Sequence, residues 1–423
     1  MMGGSKRLRR RSRWADEATP QSACLPQEMV AEILGRLPVK PVLRFRSVCK
    51  AWRSTIDEPS FAGAHLQHQP SSLLIFPCSE DDDYSSRSKR SNSISLYRWA
   101  QGMPAASLVQ AADMPPEHYW NPDHHVLAHC DGLVLVHTGA KVHLLNPAAR
   151  QAAALPWSPG SERPQANLPF RGGHQALGLG RDPRAGTYKV ARFFYRLLYY
   201  HHDDASRYSY GLATGMEVLT LGGCGCGCGC WREIAAQPPF PAIPDRTATH
   251  VKGSLLWAPD ERRGEAPGFL RLSLEDEAVG VTPPPPCEPR LDYATTGLAE
   301  LRGELCVARM AAGRVLEMWM ADDAVRPRWE RRYAIRVADP LRPGRPRPVA
   351  LLDHDATIVM HDVGWTAYAY HPPTRGFQEI RLETIDYNRG DHPSGAIRCF
   401  SHFVLIPYRE SLLPVVHKPS SLT

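Results

Sequence analysis

Between residues 25 and 66 the apolar positions recur at intervals of three and four, which is the period of an α-helix. Two stripes follow this spacing: Met29, Ile33 and Leu37, and then Val42, Phe45, Cys49, Trp52 and Ile56. Prolines punctuate the segment, with Pro38 and Pro41 between the stripes. We predict two or three short helices, with Pro26 in a first turn and Pro59 closing the set.

Several apolar residues of this segment lie off both stripes. They are Leu25, Val30, Leu34, Leu43 and Val48. The segment spans 42 positions, close to the size of roughly 40 residues below which a domain rarely stabilises itself. One helical hairpin cannot cover all of these side chains, so we expect part of the apolar surface to meet a partner.

From residue 71 onward the apolar pattern changes to short runs that alternate or are wholly apolar, and Gly, Pro, Asn or Asp bounds many of them. The runs are 73–76, 94–99, 133–136, 142–145, 188–194, 216–221, 255–258, 269–274, 304–308, 315–320, 356–360, 366–370 and 403–406. Runs of this length and composition predict strands. No long amphipathic helix interrupts them, so the predicted class is all-β.

A repeat emerges when these runs are aligned. Three begin after similar dipeptides, and each is followed by a second strand that ends in a polar turn: Asp131-Gly132, Lys252-Gly253 and Arg302-Gly303. Gly303 lies 50 residues after Gly253 and 52 before Asp355, and the 121 residues from Gly132 to Gly253 fit two units plus an insertion. A period of roughly 50 residues is typical of the kelch unit, one blade of a β-propeller.

The number of strands favours about six blades, with the last run, 403–406, completing the first blade. Closing the ring in this way leaves only short strand edges exposed. The predicted architecture is therefore a small all-α helical module followed by an all-β, kelch-like β-propeller.

Composition agrees with a folded chain. Of the 423 residues, 43% are hydrophobic and 22% charged, close to the averages of soluble proteins. Aliphatic clusters reach four residues, whereas a membrane helix needs roughly 18 or more, so we expect no membrane span. Eleven cysteines, an odd number, favour reduced thiols over a disulfide framework.

Charge is concentrated at the N-terminus. Lysine and arginine total 50 against 44 acidic residues, a formal charge of +6, and six of the basic residues lie between Lys6 and Arg13. We predict a disordered basic leader over residues 1–22, because like charges repel. A nuclear-import signal and a nucleic-acid contact are both open for it. No secretory apolar stretch follows the leader, so we expect the protein in the nucleus, the cytoplasm or both.

The helical segment also resembles a known family. Leu25-Pro26, Ile33-Leu34, Leu37-Pro38, Val48-Cys49-Lys50 and Trp52-Arg53, in this order and spacing, closely resemble an F-box, particularly its plant form. One departure is Pro41, where that family commonly has Ser, and a proline fits the first turn of a helix. The resemblance implies docking on the Skp-type adaptor of a cullin-RING ubiquitin ligase. The adaptor-binding residues that it implies are Leu25, Pro26, Ile33, Leu34, Leu37, Pro38, Leu43, Val48, Cys49 and Trp52.

The strand-rich part resembles the plant F-box-associated domain. The motifs that carry this resemblance include His129-Cys130-Asp131-Gly132, Leu145-Asn146-Pro147, Tyr188-Lys189-Val190, Trp231-Arg232-Glu233-Ile234, Trp329-Glu330-Arg331 and Tyr408-Arg409-Glu410. The resemblance implies a kelch-like propeller that acts as a substrate receptor. For each of the aromatic residues in these motifs, packing in the core of a blade is the alternative to a binding role.

Metal and acid–base candidates are weak. Cys224, Cys226, Cys228 and Cys230 alternate with glycine, but structural zinc sites pair C-x2-4-C units that are far apart in sequence. The groups Asp123-His124-His125, His201-His202-Asp203-Asp204 and Asp353-His354-Asp355 suit polar loops, because adjacent strand residues point to opposite faces. No G-x-S-x-G, P-loop or H-E-x-x-H motif is present. We predict no metal, no cofactor and no catalytic residue.

These observations predict the substrate receptor of a Skp-cullin-F-box ubiquitin ligase, itself not an enzyme. The predicted divisions are a leader at 1–22, an F-box at 23–66 and a propeller at 67–423. The expected partners are a Skp-type adaptor, the cullin-RING ligase through it, and a target protein that the sequence does not identify. An alternative is a propeller that binds glycan or nucleic acid outside the ubiquitin pathway.

Overall fold

In the computed structural model, the described part of the chain comprises fourteen segments. They are residues 25–79, 93–100, 102–113, 127–137, 142–156, 175–201, 208–222, 230–244, 246–312, 314–337, 347–352, 357–361, 364–388 and 400–415. The predicted basic leader, Asp123-His124-His125, His202-Asp203-Asp204, Asp353-His354-Asp355 and three of the four clustered cysteines, Cys224, Cys226 and Cys228, lie outside these segments.

Four helices form the N-terminal module. They are α1 (Gln27–Gly35), α2 (Val39–Phe45), α3 (Lys50–Asp57) and α4 (Pro59–His68). Pro26 and Pro38 immediately precede α1 and α2, and Pro41 lies in the first turn of α2 as expected. The prediction of two or three helices was wrong: Pro59 begins a fourth helix instead of closing the set, because a helix tolerates proline at its first position.

Six sheets follow the module, in agreement with the predicted β-propeller, and their strands pair antiparallel except for β24, which pairs parallel with β3. The first holds β1 (Ser72–Ser79), β2 (Ser93–Trp99), β3 (Ala105–Asp113), β24 (Asp386–Asn388) and β25 (Phe400–Tyr408). The second holds β4 (His129–Cys130), β5 (Leu133–His137), β6 (Val142–Asn146) and β7 (Gln151–Ala154), and the third β8 (Gln175–Arg181), β9 (Tyr188–His201), β10 (Tyr208–Thr220) and β11 (Arg232–Glu233).

The other three blades repeat the four-stranded pattern. They comprise β12 (Thr249–Val251), β13 (Ser254–Trp257), β14 (Phe269–Ser273) and β15 (Val279–Thr282); β16 (Gly297–Leu301), β17 (Glu304–Ala311), β18 (Val315–Ala321) and β19 (Glu330–Arg336); and β20 (Arg347–Leu352), β21 (Thr357–His361), β22 (Thr366–His371) and β23 (Gly376–Arg381). Strands within each of these blades are joined in sequence order, which makes each blade a local meander.

The predicted repeat dipeptides form the turn between the first and second strands of a blade. In Asp131-Gly132, Lys252-Gly253 and Arg302-Gly303 both residues have positive φ, near +50° and +80°. Two successive residues of positive φ are the geometry of the two-residue turn that matches the twist of antiparallel strands. The glycine takes the second position at little steric cost, which explains why the repeat is visible in the sequence.

Six buried apolar clusters hold the ring together, one between each pair of neighbouring blades. Alternate residues of one strand enter different clusters: on β1, Leu73 and Ile75 face the last blade, whereas Leu74 and Phe76 face the second. Because side chains alternate across a strand, a blade between two others is buried on both faces. This double burial explains the wholly apolar runs.

The C-terminal strand closes the ring. β25 pairs antiparallel with β1 from Ser72↔Tyr408 onward, so the first blade combines strands from both ends of the chain. The predicted role of residues 403–406 is thereby confirmed. Within the described segments, no helix is both long and apolar enough to cross a membrane.

Candidate functional site: the exposed apolar face of the helical module

A small core holds the four helices together. Val30, Leu34, Val42, Ile56 and Phe61 are buried in one cluster, against which Leu37, Phe45 and Trp52 pack. Phe45 and Trp52 meet edge to face, with ring centroids 5.5 Å apart. The core is small for a module of this length, so it leaves much apolar surface uncovered.

The uncovered apolar residues are concentrated on this module. Leu25, Met29, Ile33 and Val48 are 53, 52, 49 and 58% exposed. They are four of the nine large apolar residues classed as exposed across the described segments, although the module is a small part of the chain. Met29 and Ile33 are four residues apart and share one face of α1. An exposed apolar patch of this kind marks an interaction site.

The structure shows which apolar face of α1 is buried. The sequence pattern assigned Met29 and Ile33 to the main stripe and left Val30 and Leu34 off it, but Val30 and Leu34 form the core. Both pairs have helical i,i+4 spacing on neighbouring faces, so periodicity alone does not choose between them. Packing against α4, through Phe61, makes the choice.

The ten predicted adaptor-binding residues divide into three groups. Leu25, Pro26, Ile33, Pro38, Val48 and Cys49 are exposed, and Leu37, Leu43 and Trp52 are half-buried. Leu34 is only 1% exposed. Its side chain is enclosed in the core of the module and supports the exposed residues of α1 from behind. Met29 was missed, although its spacing from Ile33 could have identified it.

Cys49 has a structural role besides its exposure. Its sulfur accepts a hydrogen bond from the backbone N–H of Trp52 at 3.4 Å, which caps the N-terminus of α3. N-terminal N–H groups of a helix lack partners within the helix. The cap therefore fixes where α3 begins and positions Trp52 next to Phe45.

One side chain of α4 and one directly after it contact a carbonyl group that follows α1. His65 Nε2 lies 2.8 Å from the carbonyl oxygen of Leu37, and the Gln69 amide donates to the same oxygen at 3.1 Å. His65 is fully buried, and burial lowers its pKa. These contacts join α1 to the helix that leads directly into β1.

The segment after β25 attaches the module to the propeller. Glu410 accepts a hydrogen bond from the backbone N–H of Val39 at 2.9 Å, at the start of α2, and forms an ion pair with Arg98 of β2. Leu412 packs against the core of the module. One short segment therefore contacts both parts of the molecule.

The same segment is fastened to the second blade. Asn146 donates its amide to the carbonyl oxygens of Ser411 and Leu413, at 2.9 and 2.7 Å. Asn146 is completely buried, and buried amides of this kind fix the geometry around them. The module is thus held on the propeller by residues from two blades and not only by the peptide link at residues 69–71.

Two tryptophans of the propeller motifs are packing residues. Trp231 and Trp329 each lie just before the outermost strand of a blade, and each indole N–H donates to a proline carbonyl of the preceding blade, Pro156 at 2.9 Å and Pro283 at 3.1 Å. Two equivalent positions thus make the same inter-blade bond. This outcome supports core packing for these two residues.

Metal ligation has no site in the part of the chain that the structure describes, where no three His, Cys, Asp or Glu side chains are grouped to bind an ion. Cys230, the one member of the glycine-cysteine tract that is described, is exposed. Cys130 lies 3.6 Å from His250 Nδ1, and burial raises the pKa of its thiol. A protonated, buried thiol is a poor nucleophile.

Comparison with known proteins identifies the module. Residues 23–62 match the F-box domain family. An F-box/LRR-repeat protein of Arabidopsis thaliana is 25% identical, covering 96% of this chain and 86% of the relative. A putative F-box/kelch-repeat protein of the same plant is 23% identical over 74% of this chain and 71% of the relative, and a putative F-box protein is 30% identical over 42% of each.

Among solved structures, apo AztD from Citrobacter koseri aligns with 80% of this chain and 98% of its own, at 9% identity and a TM-score of 0.34, a likeness too distant to bear on function. The match to residues 23–62 coincides with the helices whose exposed apolar face is described above. The chain therefore contains an F-box domain at residues 23–62 and is similar, over most of its length, to F-box proteins of Arabidopsis thaliana.

Proposed function

We propose that this protein is the substrate-recognition subunit of a Skp-cullin-F-box ubiquitin ligase. The helical module binds a Skp-type adaptor, and the propeller binds the protein that is to be ubiquitinated. The observation that carries the proposal is the exposed apolar face of α1 within a segment that matches the F-box domain.

The proposed adaptor surface consists of the exposed and half-buried members of the predicted set together with Met29. These residues are Leu25, Pro26, Met29, Ile33, Leu37, Pro38, Leu43, Val48, Cys49 and Trp52. Burial of one large aliphatic side chain contributes about 1.5–3 kcal/mol. Several such side chains supply enough free energy for a stable complex after the costs of association.

The protein itself performs no acyl transfer in this proposal. It holds the target close to the ubiquitin carrier and so converts an encounter in solution into a local one. A receptor of this kind works best when the distance and orientation between its adaptor-binding and target-binding surfaces are fixed. The contacts of Glu410 and Leu412 with the module support a fixed position of the module on the propeller.

Two finer assignments belong to the same proposal. We place the boundary between module and propeller after α4, at residues 69–71, because the predicted boundary at residues 66 and 67 lies inside that helix. We assign the propeller to the plant F-box-associated group, an assignment supported by the motifs of the strand-rich part and by the similarity of most of the chain to an F-box protein of Arabidopsis thaliana.

The test is co-purification of the full chain with a Skp-type adaptor. Ile33→Glu places a charge at the centre of the proposed surface, and we expect it to weaken the complex by about a hundredfold or more, given that tenfold corresponds to about 1.4 kcal/mol. Val325→Glu is the matched control, because Val325 is a similarly exposed apolar residue on the propeller.

The outcomes separate clearly. Loss of the complex in Ile33→Glu with retention in Val325→Glu supports the proposal. Equal binding by the original chain and by Ile33→Glu contradicts it, and so does an original chain that fails to bind the adaptor. Thermal unfolding of both variants checks that neither substitution has disrupted the fold, since both side chains lie at the surface.

A further inference from the structure

The inner strands of the propeller enclose a channel of about 630 Å³. Its wall includes residues of β4, β12, β16, β20 and β25, each of which lies at the edge or inner side of its blade. Ligand pockets typically measure about 300–1,000 Å³. The channel is therefore large enough to receive a ligand.

The two ends of the channel differ. At one end lie the turns that follow the inner strands, and here Leu66 and Gln67 of α4 form part of the wall, so the helical module lies over this end. At the other end the inner strands begin, with Arg246 before β12 and Arg347 at the start of β20. A ligand therefore enters from the end that lies away from Leu66 and Gln67 of the helical module.

The channel wall carries an excess of positive charge. Among the described residues that line it, five are cationic and two are carboxylates: Arg246, Lys252, Arg302, Arg347 and Arg409, against Asp131 and Glu300. Of the three histidines that line the channel, His129 and His250 add little, because burial lowers the pKa of the first to about 4 and lowers that of the second. A recessed site with low-dielectric walls focuses such a charge on an approaching anion.

Both arginines at the entry end are held in place by the fold. The guanidinium of Arg246 donates to the carbonyl oxygens of Tyr293, at 3.1 Å, and Ala294. The stem of Arg347 lies against Gly297, where a Cβ would come within 3.1 Å of Arg347 Cγ. Neighbouring blades thus fix these side chains in advance, which reduces the entropy lost when they bind an anion.

Between its ends the channel is lined by apolar and hydroxyl side chains. Examples are Leu298, Val349 and Leu405, with Thr247 and Thr249. The inner strands β4, β12, β16 and β20 are edge strands of their sheets, and an edge strand can pair with the main chain of an extended peptide. These features favour a segment of polypeptide over a compact free anion.

We propose that the channel end marked by Arg246 and Arg347 binds an extended, acidic segment of a target protein. The anionic groups are carboxylates or phosphorylated side chains, which share the same attraction to guanidinium groups. The proposal rests on the proposed function for the existence of a target, and it assigns that target's chemistry. Recognition occurs at the end of the channel that lies away from α4.

The experiment measures fluorescence anisotropy of the full chain with labelled peptides. The probes are a hexaglutamate flanked by glycine and serine, the same peptide with glutamine, and the same peptide with phosphoserine. We expect both acidic probes to bind, the glutamine probe to bind at least about tenfold more weakly, and binding to weaken as salt is added. The difference between the two acidic probes identifies which anion the target carries.

Substitutions localise the binding. Arg347→Glu should weaken the acidic probes about tenfold or more, whereas Arg336→Glu, the same charge change on an exposed position of the outer strand β19, should leave them unchanged. Arg246→Gln provides a second channel variant, which decides the matter if Arg347→Glu proves unstable by thermal unfolding.

Several results overturn the proposal. They are equal binding of the glutamine probe, equal losses in Arg347→Glu and Arg336→Glu, no effect of either channel variant, or binding of pyrophosphate as tight as that of the peptides. Failure of this proposal is distinguishable from failure of the proposed function. Arg347→Glu should still co-purify with the adaptor, and Ile33→Glu should still bind the peptides.

Discussion

The propeller and the helical module bury their apolar residues in opposite ways. Each blade is covered on both faces by its neighbours, and six buried apolar clusters lie between the blades around the ring. The module has one core of five buried residues and leaves Leu25, Met29, Ile33 and Val48 in solvent. The blades of the propeller cover one another, whereas the described part of the module leaves an apolar face of α1 in solvent.

The two regions differ in how each is closed. The propeller closes itself with β25, which pairs with β1. The segment directly after that strand then supports the module through Glu410 and Leu412. The C-terminal part of the chain thus secures both regions, and the exposed face of α1 is the part of the module that it leaves uncovered.

The difference in burial between the two regions is tested most strongly by truncating one side chain to alanine in each region. Phe193→Ala deletes a fully buried ring in the cluster between the third and fourth blades, and we expect a loss of about 3–5 kcal/mol in the free energy of unfolding. Ile33→Ala removes an exposed side chain and should change it by about 0.5 kcal/mol or less. Chemical denaturation of both variants provides the measurement, and similar losses would contradict the contrast.

Acid should destabilise the propeller through its channel. Burial, followed by the nearby His250, lowers the pKa of His129 to about 4, against an ordinary value near 6.5. Between these values the unfolded chain binds a proton that the folded chain does not, so stability is retained above pH 6.5 and decreases as pH falls towards 4. The loss from His129 is about 3 kcal/mol at most.

Denaturation curves across this pH range measure the effect. His129→Gln should flatten the decrease, because glutamine has no proton to gain. His68→Gln, at an exposed position of α4, is the control and should retain the full slope. If the free energy of unfolding falls as steeply with pH in His129→Gln as in the original chain, the attribution of this loss to His129 is refuted.

The joint between the two regions should be weakened by Glu410→Gln. The carboxylate of Glu410 forms an ion pair with Arg98 and accepts a hydrogen bond from the backbone N–H of Val39. The substitution removes its negative charge, and hydrogen bonds to charged groups contribute about 1.5–3 kcal/mol. We expect faster hydrogen exchange in α2, measured by mass spectrometry, and little change in the inner strands. Glu379→Gln, on an exposed strand, should leave exchange in α2 unaltered.

The smallest expected effect concerns the bonds between blades. Trp329→Phe keeps an aromatic ring but removes the N–H that donates to the carbonyl oxygen of Pro283. A single neutral hydrogen bond contributes about 0.5–1.5 kcal/mol, so the midpoint of denaturation should fall slightly with adaptor binding unchanged. An unaltered midpoint would show that this bond does not contribute to ring stability.

The sequence predicted the middle strands of the blades well and the edge strands poorly. All four residues of β13 are buried, and Leu255, Leu256 and Trp257 form a continuous apolar run that identifies the strand. By contrast, β12 has three residues and β7 is mostly exposed, so neither has a pattern that distinguishes it from a loop. Double burial produces the signal, and the edges of a blade lack it.

The candidate surface was only partly predictable for a related reason. An apolar excess in the module could be recognised from its length and composition, and the dipeptide turns of the propeller from their glycines. Which face of α1 is buried depends on α4, and the arginines of the channel entrance lie about a hundred residues apart, at 246 and 347. Contacts of that kind arise from the closed ring and have no local pattern.

The most direct test of the central claim is the heat-capacity change when the full chain binds a Skp-type adaptor, measured by calorimetry at several temperatures. Burial of apolar surface makes this quantity negative. We predict a clearly negative value for the original chain and for Val325→Glu, with binding abolished in Ile33→Glu. A complex that forms with no heat-capacity change, or one that Ile33→Glu leaves intact, would contradict the claim that the exposed face of α1 is completed by a partner.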